Sequence, residues 1–128
     1  MGKPLNKYKL MVPLEQRIKQ NTTIMQKYYP DKVAIIIQKH PNEKTLAEFD
    51  KNKFLVPLEM NYHGLMMVIR ERVCSKISPT TAIYLSTENG TMLTSTQTIS
   101  DIFHYHKDEE DGFLYLYYTG ENTFGVNF

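Results

Sequence analysis

Cysteine is nearly absent: Cys74 stands alone in 128 residues, so no intramolecular disulfide can form. No apolar run approaches the roughly 20 residues that a membrane-crossing helix needs, which leaves peripheral, partner-mediated or covalent attachment as routes to a membrane. The opening Met1-Gly2-Lys3-Pro4 has no apolar signal segment behind it, and together with the lone cysteine it leads us to expect a reducing, cytoplasmic setting. A strongly basic balance is also missing. The net charge is +1 and the lysines are scattered among carboxylates with no stacking motif beside them, so nucleic acid is not an expected partner. No internal repeat or low-complexity linker divides the chain, whose length suits one domain.

What is present is uneven. Residues 1–56 hold eleven Lys/Arg against five Asp/Glu, whereas residues 57–128 hold four against nine. A basic half can attract acidic partners or anionic headgroups. With 41% hydrophobic residues and nine tyrosines among its aromatics, the chain has ample material for a core.

The elements follow from pattern. A short Pro4-started segment precedes a stripe of Leu14, Ile18, Ile24 and Met25, which predicts two helices ending near Tyr29-Pro30. Val33-Ala34-Ile35-Ile36-Ile37 is a continuous, largely β-branched apolar run, as expected of a central strand. Lys53-Phe54-Leu55-Val56-Pro57 predicts a second strand whose closing proline suits a sheet edge. A helix over 61–77, capped by Asn61, should turn Met66, Ile69, Val73 and Ile77 to the core, and the surplus Leu65 and Val68 toward a second hydrophobic surface. Ala82 to Leu85 predicts a strand, Glu88-Asn89-Gly90 a turn, and Met92-Leu93 a brief return strand. A helix near Ile99, Ile102 and Phe103 and a strand over Phe113 to Tyr118 complete the order ααββαββαβ. That is an α+β, ubiquitin-like β-grasp with two additional N-terminal helices: an extension over 1–29, the main domain over 30–119, and a flexible tail over 120–128.

Catalysis would need a nucleophile or a metal site. Cys74 falls on a helix near the core stripe with no predictable histidine partner, which reads as an inert thiol. His104-Tyr105-His106, followed by Asp108 to Asp111, suits a helix end and a solvated acidic turn better than a metal site. We therefore expect no enzyme, no catalytic residue, no metal and no cofactor.

Six segments in order, Leu14-Glu15-Gln16-Arg17, Tyr29-Pro30-Asp31-Lys32-Val33, Asp50 to Pro57, Ile69-Arg70-Glu71-Arg72, Asp111 to Tyr115 and Thr123-Phe124-Gly125, resemble the autophagy ubiquitin-like modifiers. This is the group containing microtubule-associated protein light chain 3 and the GABA-A-receptor-associated protein. The resemblance implies cleavage by a cysteine protease after Gly125, with Phe124 part of its recognition sequence. It then implies activation as a thioester, transfer to a conjugating enzyme and ligation to phosphatidylethanolamine on autophagosomal membranes. A glycine suits that position because it lacks a Cβ that would crowd attack on its carbonyl. Val126-Asn127-Phe128 would make this chain the unprocessed precursor.

The resemblance also implies cargo receptors and adaptors that carry a short aromatic-x-x-aliphatic motif and bind by strand addition along Lys53 to Val56. Carried over by position, an aromatic pocket would comprise Met25, Ala34, Lys53, Leu55 and Phe113. An aliphatic pocket would comprise Phe54, Val56, Pro57, Met60, Leu65 and Val68. Lys32, Lys51, Lys53 and Arg72 would meet acidic residues flanking the motif. Ala34 stands where many relatives have proline, and one extra residue in the second helix shifts its register around Asn21. The competing expectation is a non-lipidated adaptor for trafficking or microtubule-associated partners such as tubulin.

Overall fold

The structure, a computed structural model, describes residues 5–49, 51–73 and 82–120. Gly125, Phe124, Cys74, Ile77 and the expected tail beyond Gly120 lie outside the described residues.

β1 (Lys32–Lys39) carries the β-branched run and is buried on both faces, as a central strand must be. It pairs antiparallel with β2 (Lys53–Pro57) and parallel with β4 (Leu114–Gly120), and β4 pairs antiparallel with β3 (Ile83–Thr87). The sheet order is β2-β1-β4-β3, so the first and last strands lie side by side at the centre and β2 forms one edge. Because successive side chains alternate across a strand, the sheet has two apolar faces. Val33, Ile35, Ile37, Phe54, Val56, Leu114, Leu116 and Tyr118 join one core with Leu65 and Ile69 of α3 (Tyr62–Val73) and Ile99, Ile102 and Phe103 of α4 (Ile99–His106). On the opposite face Ala34, Ile36, Phe113 and Tyr115 meet Tyr8 of α1 (Lys7–Met11), with Ile24 of α2 (Leu14–Tyr28) packed against them. Each fully buried Ile or Leu contributes roughly 1.5–3 kcal/mol, so the larger face dominates stability.

The α+β, ubiquitin-like β-grasp with two leading helices is the fold observed. Four local expectations change. Met92 forms only an isolated bridge to Ser86, because after Leu93 donates to the Leu85 carbonyl the chain turns away through Thr94 N–H and the Gln97 side chain. Leu14 and Ile18 are exposed, and the inward face of α2 instead carries Arg17, Asn21 and Ile24. In α3 the fully buried pair is Leu65 and Ile69, whereas Met66 and Val68 are half-buried beside them, so Leu65 belongs to the core rather than to a second surface. β4 also runs through Thr119 and Gly120, two residues further than expected.

The polar face of α2 has a specific receptor. Asp111, fully buried, accepts from Arg17 Nε (2.8 Å), Phe113 N–H (2.9 Å) and the Tyr115 hydroxyl. Its carbonyl accepts from Asn21 Nδ2 (3.0 Å), and Arg17 also donates to the Val12 carbonyl (2.7 Å). Burial and then the Asp111 carboxylate hold the Tyr115 hydroxyl far above its ordinary pKa. Gly112 sits at φ +79°, where an added Cβ would lie 2.6 Å from Asn21 Nδ2, so this turn requires glycine.

Candidate docking edge

Whether β2 can accept another strand depends on where its main-chain groups point. Ile37 N–H donates to the Asn52 carbonyl (2.8 Å) and Leu58 N–H to the Asp31 carbonyl (3.2 Å), at the two ends of the β1–β2 ladder. Bonded positions alternate in an antiparallel pair, so Phe54 and Val56 face β1 while Lys53 and Leu55 turn their N–H and C=O groups outward. Pro57 ends the row without a donor. Leu55 is 39% exposed, which is uncommon for a leucine at the centre of a strand.

The side chains divide between the two faces. Beside α2, Ala34 and Phe113 are buried, and Lys53 Nζ lies 5.8 Å from the Phe113 ring centre while donating to Gln20 Oε1 (3.2 Å). Burial lowers the Lys53 pKa from its ordinary value. Gln20 Oε1 also accepts from the Tyr8 hydroxyl (2.7 Å), whose ring meets Phe113 edge-on at 6.2 Å. Of the residues expected in the aromatic pocket, Ala34, Lys53, Leu55 and Phe113 therefore share this face. Met25 packs instead against the larger core, and Ile24 packs on this face with Tyr8, Ala34 and Phe113. Ile24, Gln20 and Tyr8 were missed; the spacing of Arg17, Asn21 and Ile24 was the available signal.

Beside α3, Phe54, Val56 and Leu65 are buried, and Pro57, Met60 and Val68 are half-buried around them. The Arg72 guanidinium carbon lies 5.2 Å from the Phe54 ring centre, so this cation covers the expected aliphatic pocket on its outer side. Lys32 and Lys51 are exposed near opposite ends of β2. Among the described residues the edge thus offers main-chain groups without a partner strand, apolar ground on both faces and four cations.

Other features lie apart. A cavity of about 540 Å³ opens between α1 and the turn after β1, and none of the expected pocket residues lines it. His104 Nδ1 is bonded to the Ser100 carbonyl at 2.8 Å, and among the described residues no cluster of three His, Cys, Asp or Glu is placed to hold a metal. Among the same residues, no helix is long and apolar enough to cross a membrane.

A four-stranded β-grasp sheet with two leading helices is a ubiquitin-like fold. The model of the family described as "Autophagy protein Atg8 ubiquitin like" matches residues 16–125. Autophagy-related protein 8b of Arabidopsis thaliana is 39% identical over 96% of each chain. Microtubule-associated protein 1 light chain 3 gamma of Homo sapiens is 35% identical over 76% of this chain and 64% of its own. The crystal structure of Trypanosoma brucei ATG8 superposes with a TM-score of 0.82 at 34% identity, covering 92% of this chain and 97% of that one. The chain belongs to the Atg8 family of ubiquitin-like autophagy proteins.

Proposed function

We propose that this protein is an autophagy modifier that is cleaved after Gly125, conjugated to phosphatidylethanolamine on the autophagosomal membrane, and bound there by cargo receptors and adaptors through β2. Hydrolysis of the Gly125–Val126 peptide bond by a cysteine protease frees the glycine carboxylate. The activating enzyme adenylates that carboxylate with ATP, its thiol displaces AMP to form a thioester, a conjugating-enzyme thiol takes over the acyl group by exchange, and the lipid amine displaces that thiol to form an amide. No residue of this chain performs the chemistry; its glycine is the substrate. Before lipidation the protein is cytoplasmic.

The observation that most supports the docking reading is the outward row of Lys53 and Leu55 main-chain groups between two apolar faces. An extended motif would hydrogen-bond along that row and place its aromatic side chain near Ala34, Ile24 and Phe113. Its aliphatic side chain would lie near Val56, Pro57, Met60 and Val68. Lys32, Lys51, Lys53 and Arg72 would meet flanking acids and act chiefly on orientation and association rate. The residues Thr123-Phe124-Gly125, within the matched family range, support the conjugation reading.

Intact-mass measurement of the cellular protein tests it, with wild type beside Gly125→Ala in membrane and soluble fractions. We expect a wild-type membrane species ending at Gly125 with added phosphatidylethanolamine, absent from the variant. An uncleaved chain in both would instead support a non-covalent trafficking or tubulin-associated adaptor.

A further inference from the structure

The last described residue of β4 is held by a carboxylate from a distant loop. Glu43, 2% exposed, follows β1 by a tight turn. Its Oε2 accepts from Thr45 N–H, the Thr45 hydroxyl and Leu46 N–H, each at 2.8 Å. Its Oε1 reaches across 77 positions of sequence to accept from Gly120 N–H at 2.7 Å. The same loop meets β4 elsewhere: His40 N–H donates to the Tyr118 carbonyl (3.0 Å), the Tyr118 hydroxyl donates to the Ala47 carbonyl, and Leu46 would lie 3.5 Å from a Cβ at Gly120.

A buried carboxylate is costly unless its lone pairs are engaged, and here one oxygen organises the loop while the other is committed to Gly120. Gly125 follows Gly120 by only five positions, so even a fully extended chain keeps the reactive glycine within about 17 Å of this anchor. An enzyme that grips the folded domain and acts on that glycine meets it in a narrower volume if its root is fixed. Resting on the modifier reading above, we propose that Glu43 is a positioning residue for processing: by fixing Gly120 it delivers Gly125 to the protease docked on the domain.

Glu43→Gln separates the two duties. One amide oxygen remains, and the three donors of Thr45 and Leu46 claim it; the new NH₂ group then faces Gly120 N–H, donor against donor. A second variant, with Gly-Ser inserted between Gly120 and Glu121, leaves the anchor intact but lengthens the reach by about 7 Å. The test measures cleavage after Gly125 in both full chains, in wild type and in a free peptide of residues 119–128, using the cysteine protease that processes the family.

We expect wild type to be cut with kcat/KM at least about tenfold above the peptide, and each variant to lose about tenfold of that, Glu43→Gln through the lost charge-assisted hydrogen bond and the insertion through the longer reach. Exchange of the Gly120 amide should quicken in Glu43→Gln but not in the insertion, while binding of an aromatic-x-x-aliphatic peptide is unchanged in both. Cleavage of either variant at the wild-type rate, or an unchanged Gly120 amide in Glu43→Gln, overturns the inference while leaving the modifier reading intact. If Glu43→Gln does not fold, the insertion decides alone. A wild-type chain that is not cut at Gly125 fails the modifier reading and this inference with it.

Discussion

The two edges of the sheet are built in opposite ways. At β3 the chain covers its own edge: Thr87 N–H donates to the Thr91 carbonyl (2.8 Å) and Leu93 N–H to the Leu85 carbonyl (3.0 Å), closed by a turn with Gly90 at φ +92°. At β2 nothing in the described chain covers Lys53 and Leu55, and lysines flank the row. Unprotected edges invite aggregation, and lysines and a terminal proline are the usual restraints on that hazard. An edge left open with those restraints, opposite one that is capped, is the arrangement expected where a particular strand is to be admitted.

The largest way to disturb this contrast is to remove the support behind one wall of the open edge. Arg17→Ala leaves the Asp111 carboxylate buried without its cation. We expect a loss of roughly 3–5 kcal/mol in denaturant unfolding, with weaker motif binding as α2 loosens. Leu55→Pro removes an outward donor while sparing the β1 ladder. Affinity for an aromatic-x-x-aliphatic peptide, measured by calorimetry, should fall about tenfold or more while the fold persists. The same substitution at Val56, whose N–H faces β1, should destabilise the fold itself by about 3 kcal/mol.

Gly90→Val sharpens the comparison from the other side. A β-branched residue at positive φ should cost about 1–2 kcal/mol and speed amide exchange at Leu93, while leaving motif affinity alone. Lys51→Ala should weaken binding least, by no more than about fivefold, and the difference should shrink as salt is raised.

The tie between α1 and the acidic turn near β3 predicts a pH dependence. Lys9 Nζ lies 2.9 Å from Glu88 and also bonds Asp108. Burial raises the Asp108 pKa, but the Lys9 hydrogen bond and neighbouring backbone N–H groups outweigh it and leave it below the ordinary value. A depressed folded pKa contributes stability that is present above the unfolded value near 3.9 and is lost as pH falls through the folded one. Unfolding free energy should therefore decline below about pH 4, and Lys9→Met should flatten that decline.

The sheet was legible because its strands announce themselves: β1 by an unbroken apolar, largely β-branched run, β2 by its closing proline, and β4 by a run rich in tyrosine. The parallel pairing of first and last strands followed from element order. The inner face of α2 was not legible from hydrophobicity, because Arg17 and Asn21 are buried by hydrogen bonds to Asp111, 94 and 90 positions away, while Leu14 and Ile18 face outward. That same reversal explains why Ile24, not Met25, stands beside Ala34 and Phe113. Leu65 misled for a related reason: in a run of five apolar residues, spacing alone does not say which pair faces the sheet.

The most direct measurement of the open edge is amide hydrogen exchange on the full chain, with and without an aromatic-x-x-aliphatic peptide. The amides of Lys53 and Leu55 should gain protection on binding while those of Thr87 and Leu93 stay as they were; protection gained at β3, or none at Lys53 and Leu55 in a peptide-saturated sample, would contradict β2 as the docking edge.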